Sequence, residues 1–343
     1  MIKSNKKGFE VQFNWIFVLV AGAAILLFFT AIVLKQKSTA EISTKANILK
    51  SIESIIIGAS VSTSTINIID IPKSDIEVSC NKVSLGKVSK QYQNLILFAP
   101  SLIKGNKLVT QTLPFNIPYR AVNLLYMTSP QVRYIIIGDT ELAKEINVSL
   151  PSSLKKEVYC STCGNSYEPS KIKDLNNYKV RFIVFGPISN VPLPADLGKM
   201  RDSDVTALSI DEDSNNIKFY QRSGIGWLLQ PESSTYIEKS SIIGAIYSDT
   251  LEAYECSMQN AFNRLNLVTK IYIDRTGSLT RVLDEQNPCR IPYTTAENNL
   301  AKISDQSLKK FTDLTDVESM KSAAKSLSNE NKNLQLYSCP LVY

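Results

Sequence analysis

The stretch WIFVLVAGAAILLFFTAIVL, Trp15 to Leu34, decides how the rest of the chain is read. Thr30 is its only polar side chain. At 1.5 Å per residue a helix of this length spans roughly 30 Å, the depth of one hydrocarbon core. A buried helix of a soluble domain is rarely apolar on every side for so long, so the stretch predicts a transmembrane helix. Trp15 marks one end, with Phe13 and Asn14 just before it, as suits an interfacial anchor, and Leu34 marks the other. Beyond it Lys35 to Ile57 contains no Gly or Pro and sets Ile42, Leu49, Ile52 and Ile56 at helical spacings, so the helix is expected to continue outward as a stalk.

Charge and cysteine usage orient the anchor. Of 38 Lys and Arg, seven lie in the first fifty residues (Lys3, Lys6, Lys7, Lys35, Lys37, Lys45 and Lys50), against Glu10 and Glu41 alone. The net charge of +6 is therefore concentrated near the N-terminus, and no basic footprint for nucleic acid is expected on the rest. Basic residues flank the span almost equally. The short basic leading tail resembles a signal n-region, and all six cysteines follow the span, which suits an oxidising compartment. The expected topology is a single-pass cell-membrane protein with its N-terminus cytoplasmic and its large domain extracytoplasmic. The alternative is a cleaved secretory signal ending near Ser38-Thr39-Ala40, but the apolar run exceeds the usual h-region of about 7 to 15 residues.

Composition bounds the remainder. With 343 residues the chain holds two domains, or one large domain and an accessory segment, at about 150 residues per domain. Apolar residues at 44% and charged residues at 20% exclude a long disordered chain. There is no histidine, so Ser-His-Asp triads, Cys-His pairs, HExxH zinc sites and histidine-ligated haem are excluded.

Lys6-Lys7-Gly8, Phe9-Glu10 and the apolar helix that follows resemble the leader of a type IV pilin. The resemblance implies processing between Gly8 and Phe9, with the helix as assembly core of a filament subunit. The chain departs from that pattern: the fifth position after the glycine is Phe13 where those pilins usually carry glutamate, and Gln12 and Asn14 are polar. The expectation is therefore that the leader is retained. The stretches QFNWIFVLVAGAAILLFF and PSLIKGNKLVTQTLPFNIPYRAVNLLYMTSP resemble a family of uncharacterised archaeal envelope proteins with a single N-terminal anchor. That family implies no functional residue to carry over.

Past a Ser/Thr-rich break at Ser60 to Thr65, β-type runs at Ile66 to Ile71, Ile76 to Cys80, Leu95 to Phe98 and Leu108 to Thr112 alternate with turns at Pro72, Pro100, Pro114 and Pro118. From Val132 the texture changes. RYIIIG, a helical run to about Ile146 and VRFIVFG read as strands covered on both faces with a helix between them. A hairpin follows, Val205 to Ile210 and Ile217 to Gln221. Apolar stripes predict helices over about Ser240 to Tyr272 and Thr295 to Leu327, the second including Phe311, as an antiparallel pair. The predicted class is α+β. Its segments are a cytoplasmic basic tail (1–14), the transmembrane helix (15–34), a helical stalk (35–58), a β-rich membrane-proximal unit (60–130), a mixed α/β core (131–238), and a C-terminal helical hairpin and tail (239–343).

Few motifs carry chemistry. Cys160-Ser-Thr-Cys163 has the spacing of a zinc knuckle or a thiol-disulfide site, yet no second CxxC exists, and Gly164-Asn165 and Pro169 indicate a loop instead of a helix start. A structural disulfide is the leading reading, then zinc, then redox catalysis. Cys80, Cys256, Cys289 and Cys339 complete the disulfide candidates; Cys289 lies in the helix-pair loop and Cys339 just after its end, so either is placed to tie that unit down. Asp211-Glu-Asp213-Ser-Asn215-Asn216 starts like a calcium loop, but Asn216 and Arg222 stand where glycine and glutamate belong, and a polar turn explains it. Asn147-Val-Ser149 is a glycosylation acceptor if the domain is outside. Gly138-Asp139-Thr140 ends a strand where open α/β sheets bind ligands, and Asp139 and Glu141 are candidates to pair in space with Asp249 or Glu252. Helix capping explains Asp139 or Thr140 more simply. The SxxK matches at Ser152 to Lys155 and Ser322 to Lys325 lack the strand-to-helix context a nucleophile needs.

No catalytic residue, metal ligand or cofactor is assigned. The leading expectation is a non-catalytic envelope scaffold. Its partners are the lipid bilayer and a protein partner or a second copy met through anchor and stalk. An anchored α/β enzyme using carboxylates or the CxxC pair is the alternative. Convergence of those residues in one pocket would favour the enzyme; their dispersal would favour binding or assembly.

Overall fold

The apolar run and the stalk form one continuous helix, α1 (Lys7–Val61), in a computed structural model that describes residues 7–92, 95–173, 176–309 and 314–343. Gly8 to Asn14, expected in the tail, belong to this helix; Lys3, Lys6 and, far along the chain, Phe311 lie outside the described residues. From Trp15 to Leu34 every side chain but Ala21 is exposed. This is the one helix among the described residues that is long and apolar enough to cross a membrane. Thr30 Oγ donates to the Leu26 carbonyl at 2.7 Å, so the span's one hydroxyl is satisfied within the helix. Farther on, Leu49, Ile52 and Ile56 are buried, whereas Ile42 remains exposed. From Ala40 to Thr44 the side chains are exposed, and contact with the sheet begins at Lys45 and Ile48, which are half-buried.

The buried stripe of α1 packs on a six-stranded sheet built from β1 (Ile66–Ser79), β2 (Lys82–Leu85), β3 (Val88–Gln91), β4 (Leu97–Phe98), β5 (Leu102–Asn116) and β6 (Arg120–Thr128). Its order is β3-β2-β1-β5-β6-β4, antiparallel except where β4 runs parallel to β6. Leu49, Ile52 and Ile56 share a core with Val83, Leu85, Leu125 and Met127, and Lys90 pairs with Glu53 at its rim. The runs expected as separate strands on either side of Pro72 are one strand. Proline has no N–H to give the ladder, so the chain bulges there and the register against β5 shifts between Asp70 and Ser74.

The second sheet holds β7 (Val132–Ile137), β8 (Lys155–Tyr159), β9 (Lys179–Phe185), β10 (Val205–Asp211), β11 (Asn216–Ser223) and β12 (Gly226–Thr235), in the order β12-β11-β10-β9-β7-β8. β8, β7, β9 and β10 are parallel; β11 and β12 add an antiparallel edge. Helix α2 (Glu141–Ser149) links β7 to β8. One face of the sheet packs on α3 (Lys239–Tyr247) and α4 (Leu251–Arg281). The other is covered by the segments joining β8 to β9 and β9 to β10, through Ile172, Ile188, Val191 and Leu197. Coverage on both sides is why β7 and β9 read as continuous apolar runs.

The two C-terminal helical stretches are each divided. The first breaks at Ser248-Asp249-Thr250 between α3 and α4, where Thr250 caps α4 by accepting from the Ala253 N–H. The second consists of α5 (Arg290–Ser307) and α6 (Leu314–Leu336), both packed together with α4. Gly244 lies where a Cβ would meet the Phe98 ring at 2.8 Å, so glycine lets α3 approach the first sheet.

The largest hydrophobic core joins parts of both sheets to the C-terminal helices. Phe98 and Tyr126 of the first sheet, Tyr134 and Phe219 of the second, and Tyr247 and Tyr254 of α3 and α4 form a chain of ring contacts 5.4–6.1 Å apart. Their hydroxyls are satisfied: Tyr126 donates to the Ser240 carbonyl, Tyr254 to the Thr235 carbonyl and Tyr247 to Gln111, while Tyr134 meets Thr128. Burial pushes all four phenols above their ordinary pKa.

Candidate functional site

The carboxyl ends of β7, β9 and β10 form the edge at which an open α/β sheet offers a ligand crevice. Gly138 ends β7 against Phe185, whose Cβ would lie 2.7 Å from a Cβ added at Gly138, so the two chains meet only because this residue is glycine. Thr140 Oγ caps α2 by accepting from the Ala143 N–H at 3.2 Å. Asp139 Oδ1 accepts from the backbone N–H and hydroxyl of Thr162 at 3.1 and 3.3 Å. The acid therefore holds the CxxC turn in place.

That turn closes on itself. Cys160 and Cys163 are paired with Cα atoms 5.1 Å apart, the Cys163 N–H donates to the Cys160 carbonyl, and Gly164 takes a φ of +75°. Cys160 is buried and Cys163 exposed. Neither nearby lysine reaches a sulfur: Lys155 donates to Asn177, and Lys156 to the Asn147 and Leu150 carbonyls. Asn147 itself sits within helix α2.

The other four cysteines also form pairs at disulfide distance. Cys80–Cys256 joins the turn between β1 and β2 to α4, with Cα atoms 5.8 Å apart. Cys289–Cys339 ties the loop before α5 to the C-terminal tail, at 6.0 Å.

Beyond Thr140 a cleft of about 590 Å³ lies between the ends of β9 and β10 and the β10–β11 turn. Phe185, Ile188 and Tyr220 supply its apolar surface, and Asp211, Glu212 and Asp213 face a single lysine, Lys218. Asp211 is used by the turn: its carboxylate accepts from the N–H groups of Asp213 and Ser214 and, at 2.7 Å, from the Ser214 hydroxyl, which holds its pKa below the usual aspartate value. Arg222 points elsewhere, donating to Asp202 and to the Leu197 and Met200 carbonyls. The acidic run is thus a hairpin turn. Among the described residues no group of three or more His, Cys, Asp or Glu side chains is placed to share a metal ion. The cleft's chemistry suits a cationic hydrogen-bond donor.

The carboxylates expected to pair in space are far apart in the fold. Asp249 lies at the amino ends of the parallel strands, opposite the edge that holds Asp139, where it pairs with buried Lys179 and accepts from the Ser101 N–H and hydroxyl at 2.8 and 2.9 Å. Glu252 lines a separate groove of about 770 Å³ beside Cys256.

Sequence reasoning missed the buried charges near this edge, Lys179 and Arg181 on the face that meets α3 and Arg133 on the other. Arg133, Lys179 and Arg181 are all buried, and each sits inside an apolar strand. Arg133 makes a bidentate pair with Glu157, both bonds 2.7 Å long, and Arg181 lies over the Phe219 ring. Burial lowers the Arg181 pKa to about 10. A charge inside a strand covered on both faces was the available signal. No family model, curated protein or solved structure matches this chain.

Proposed function

We propose that the chain is a membrane-anchored envelope protein whose extracytoplasmic body binds or assembles without catalysing a reaction. The carrying observation is the continuity of α1: one helix holds an exposed apolar span and, farther along, the Leu49, Ile52 and Ile56 stripe buried in the folded body. Anchor and body are therefore joined without a flexible linker. Dispersal of the chemistry-bearing residues supports the non-catalytic reading. Asp139 is committed to the CxxC turn and Asp249 to Lys179, on opposite edges of the sheet, and the cysteines are paired. Three disulfides suit an oxidising compartment, which favours residues 35–343 outside the cytoplasm and the N-terminus inside.

Protease added to intact cells tests the topology. The expected result is digestion of the body with a tag before Lys3 protected; loss of the tag with the body intact would reverse the orientation.

A filament subunit is the second reading, favoured because the free apolar half of α1 is also the shape of an assembly core. N-terminal sequencing separates the two: Met1 supports the retained anchor, and Phe9 supports the filament subunit.

A further inference from the structure

The strongest unabsorbed feature is a set of buried polar atoms that lack partners around one small void. The void, about 10 Å³, lies where the amino ends of β9 and β10 meet the end of α3, and Arg181, Thr206 and Ser248 are among its walls. Each of these residues is at most 3% exposed. Arg181 donates through Nη1 to the Ala207 carbonyl and through Nη2 to the Ala245 carbonyl, at 3.3 and 3.0 Å. Its Nε, the Thr206 hydroxyl and the Ser248 hydroxyl have no hydrogen-bond partner. Thr206 is the register neighbour of Arg181 across the parallel β9–β10 ladder, and Ser248 is the residue that ends α3.

A buried polar group without a partner costs roughly 1–3 kcal/mol, and three around one void ask for a common partner. We infer that the void is a built site for a single ordered water bridging Arg181 Nε, Thr206 Oγ and Ser248 Oγ. The size fits, because a water requires at least about 10–15 Å³ of such volume. The hydrogen bonding balances: water accepts from the Arg181 Nε–H and from one hydroxyl, and donates to the other.

A halide would also accept from these donors, but two observations favour the neutral ligand. The Arg181 guanidinium already donates to Ala245 in the last turn of α3, where the helix dipole presents its negative end. Asp249, which walls the same void, contributes a further negative charge, shared with Lys179. The water completes the joint between the parallel sheet and the break at Ser248-Asp249-Thr250.

The test is a structure of the full chain in detergent at a resolution that shows waters, from crystals grown with and without bromide. One peak within hydrogen-bond distance of all three atoms, with no anomalous bromide signal, is the expected result. An empty void, direct hydroxyl-to-hydroxyl bonding or a bromide peak would overturn it. Thr206→Val and Thr206→Ser supply a second readout in the full chain. A lower Tm for the valine variant than for the serine variant supports the site, and equal values count against it.

Discussion

The two sheets differ in how they are closed. The first is antiparallel but for β4, and part of its cover comes from the last turns of α1: Leu49, Ile52 and Ile56 lie in its core, while the far end of β1 leaves Ile66 and Ile68 exposed. The second is mostly parallel and covered on both faces by its own connections and by α3 and α4. The difference teaches that the antiparallel unit is incomplete without the buried turns of α1, whereas the α/β unit is covered by its own connections and by α3 and α4. A covalent staple, Cys80–Cys256, and the shared aromatic core make one body of them.

Removing the staple is the strongest way to break that comparison. Cys80 and Cys256 are 176 residues apart, and restricting so long a loop in the unfolded chain is worth about 5 kcal/mol. The double change Cys80→Ser with Cys256→Ser is expected to lower stability by about that amount in non-reducing denaturant melts. A single transition retained at lower denaturant shows that the aromatic core alone couples the sheets; two separate transitions show that the disulfide did the coupling.

The packing of α1 comes next. Ile52→Ala removes a fully buried side chain from the first sheet's core and should cost about 2–5 kcal/mol. Ile42→Ala, on the bare part of the same helix, should stay within about 0.5 kcal/mol. Equal effects in melts of the full chain would mean that the stalk does not complete the sheet.

These contrasts also explain what was legible in the sequence. The long apolar helix, the α+β class, β7, β9 and the β10–β11 hairpin could be read because each is a long periodic or continuous apolar signal. β2 and β3 are four residues each, too short for a period to declare itself. β8, KKEVY, is a polar edge strand, and β12 carries Pro231 and exposed Leu228 and Leu229 at the opposite edge. Ile42 belonged to the predicted stalk stripe, but contact with the sheet starts only at Lys45 and Ile48. At the candidate site Thr140 was legible as a cap because capping is local. The partners of Asp139 and Asp249 were not, since they come from 23 and 148 residues away.

The local disulfide gives a smaller effect than the long one. Cys160 and Cys163 close a four-residue ring, for which the same chain-entropy argument gives about 2 kcal/mol. Replacing both by serine should lower the Tm modestly and leave the body folded. Alkylation of the native protein should label neither sulfur before reduction. Rapid labelling of both, with no change in Tm on reduction, would remove the structural account of this pair.

The smallest effect is one of pH, at the antiparallel edge of the second sheet. Asp202 is exposed, and its pKa is held below the ordinary 3.8 chiefly by the hydrogen bond from Arg222, whose Nε lies 2.7 Å from Oδ1. A carboxylate whose pKa is depressed by folding stabilises the folded state above its ordinary pKa, and that contribution is lost as pH falls through the depressed value. The stability difference between the natural chain and Asp202→Asn should therefore be present at pH 6, shrink below the ordinary aspartate pKa, and vanish once Asp202 is protonated in both states. Solvent screening keeps it small. Denaturant melts of both proteins across that acid range measure it directly. A difference that stays constant with pH would mean that Asp202 holds Arg222 through shape and neutral hydrogen bonding, with its charge contributing nothing to the edge.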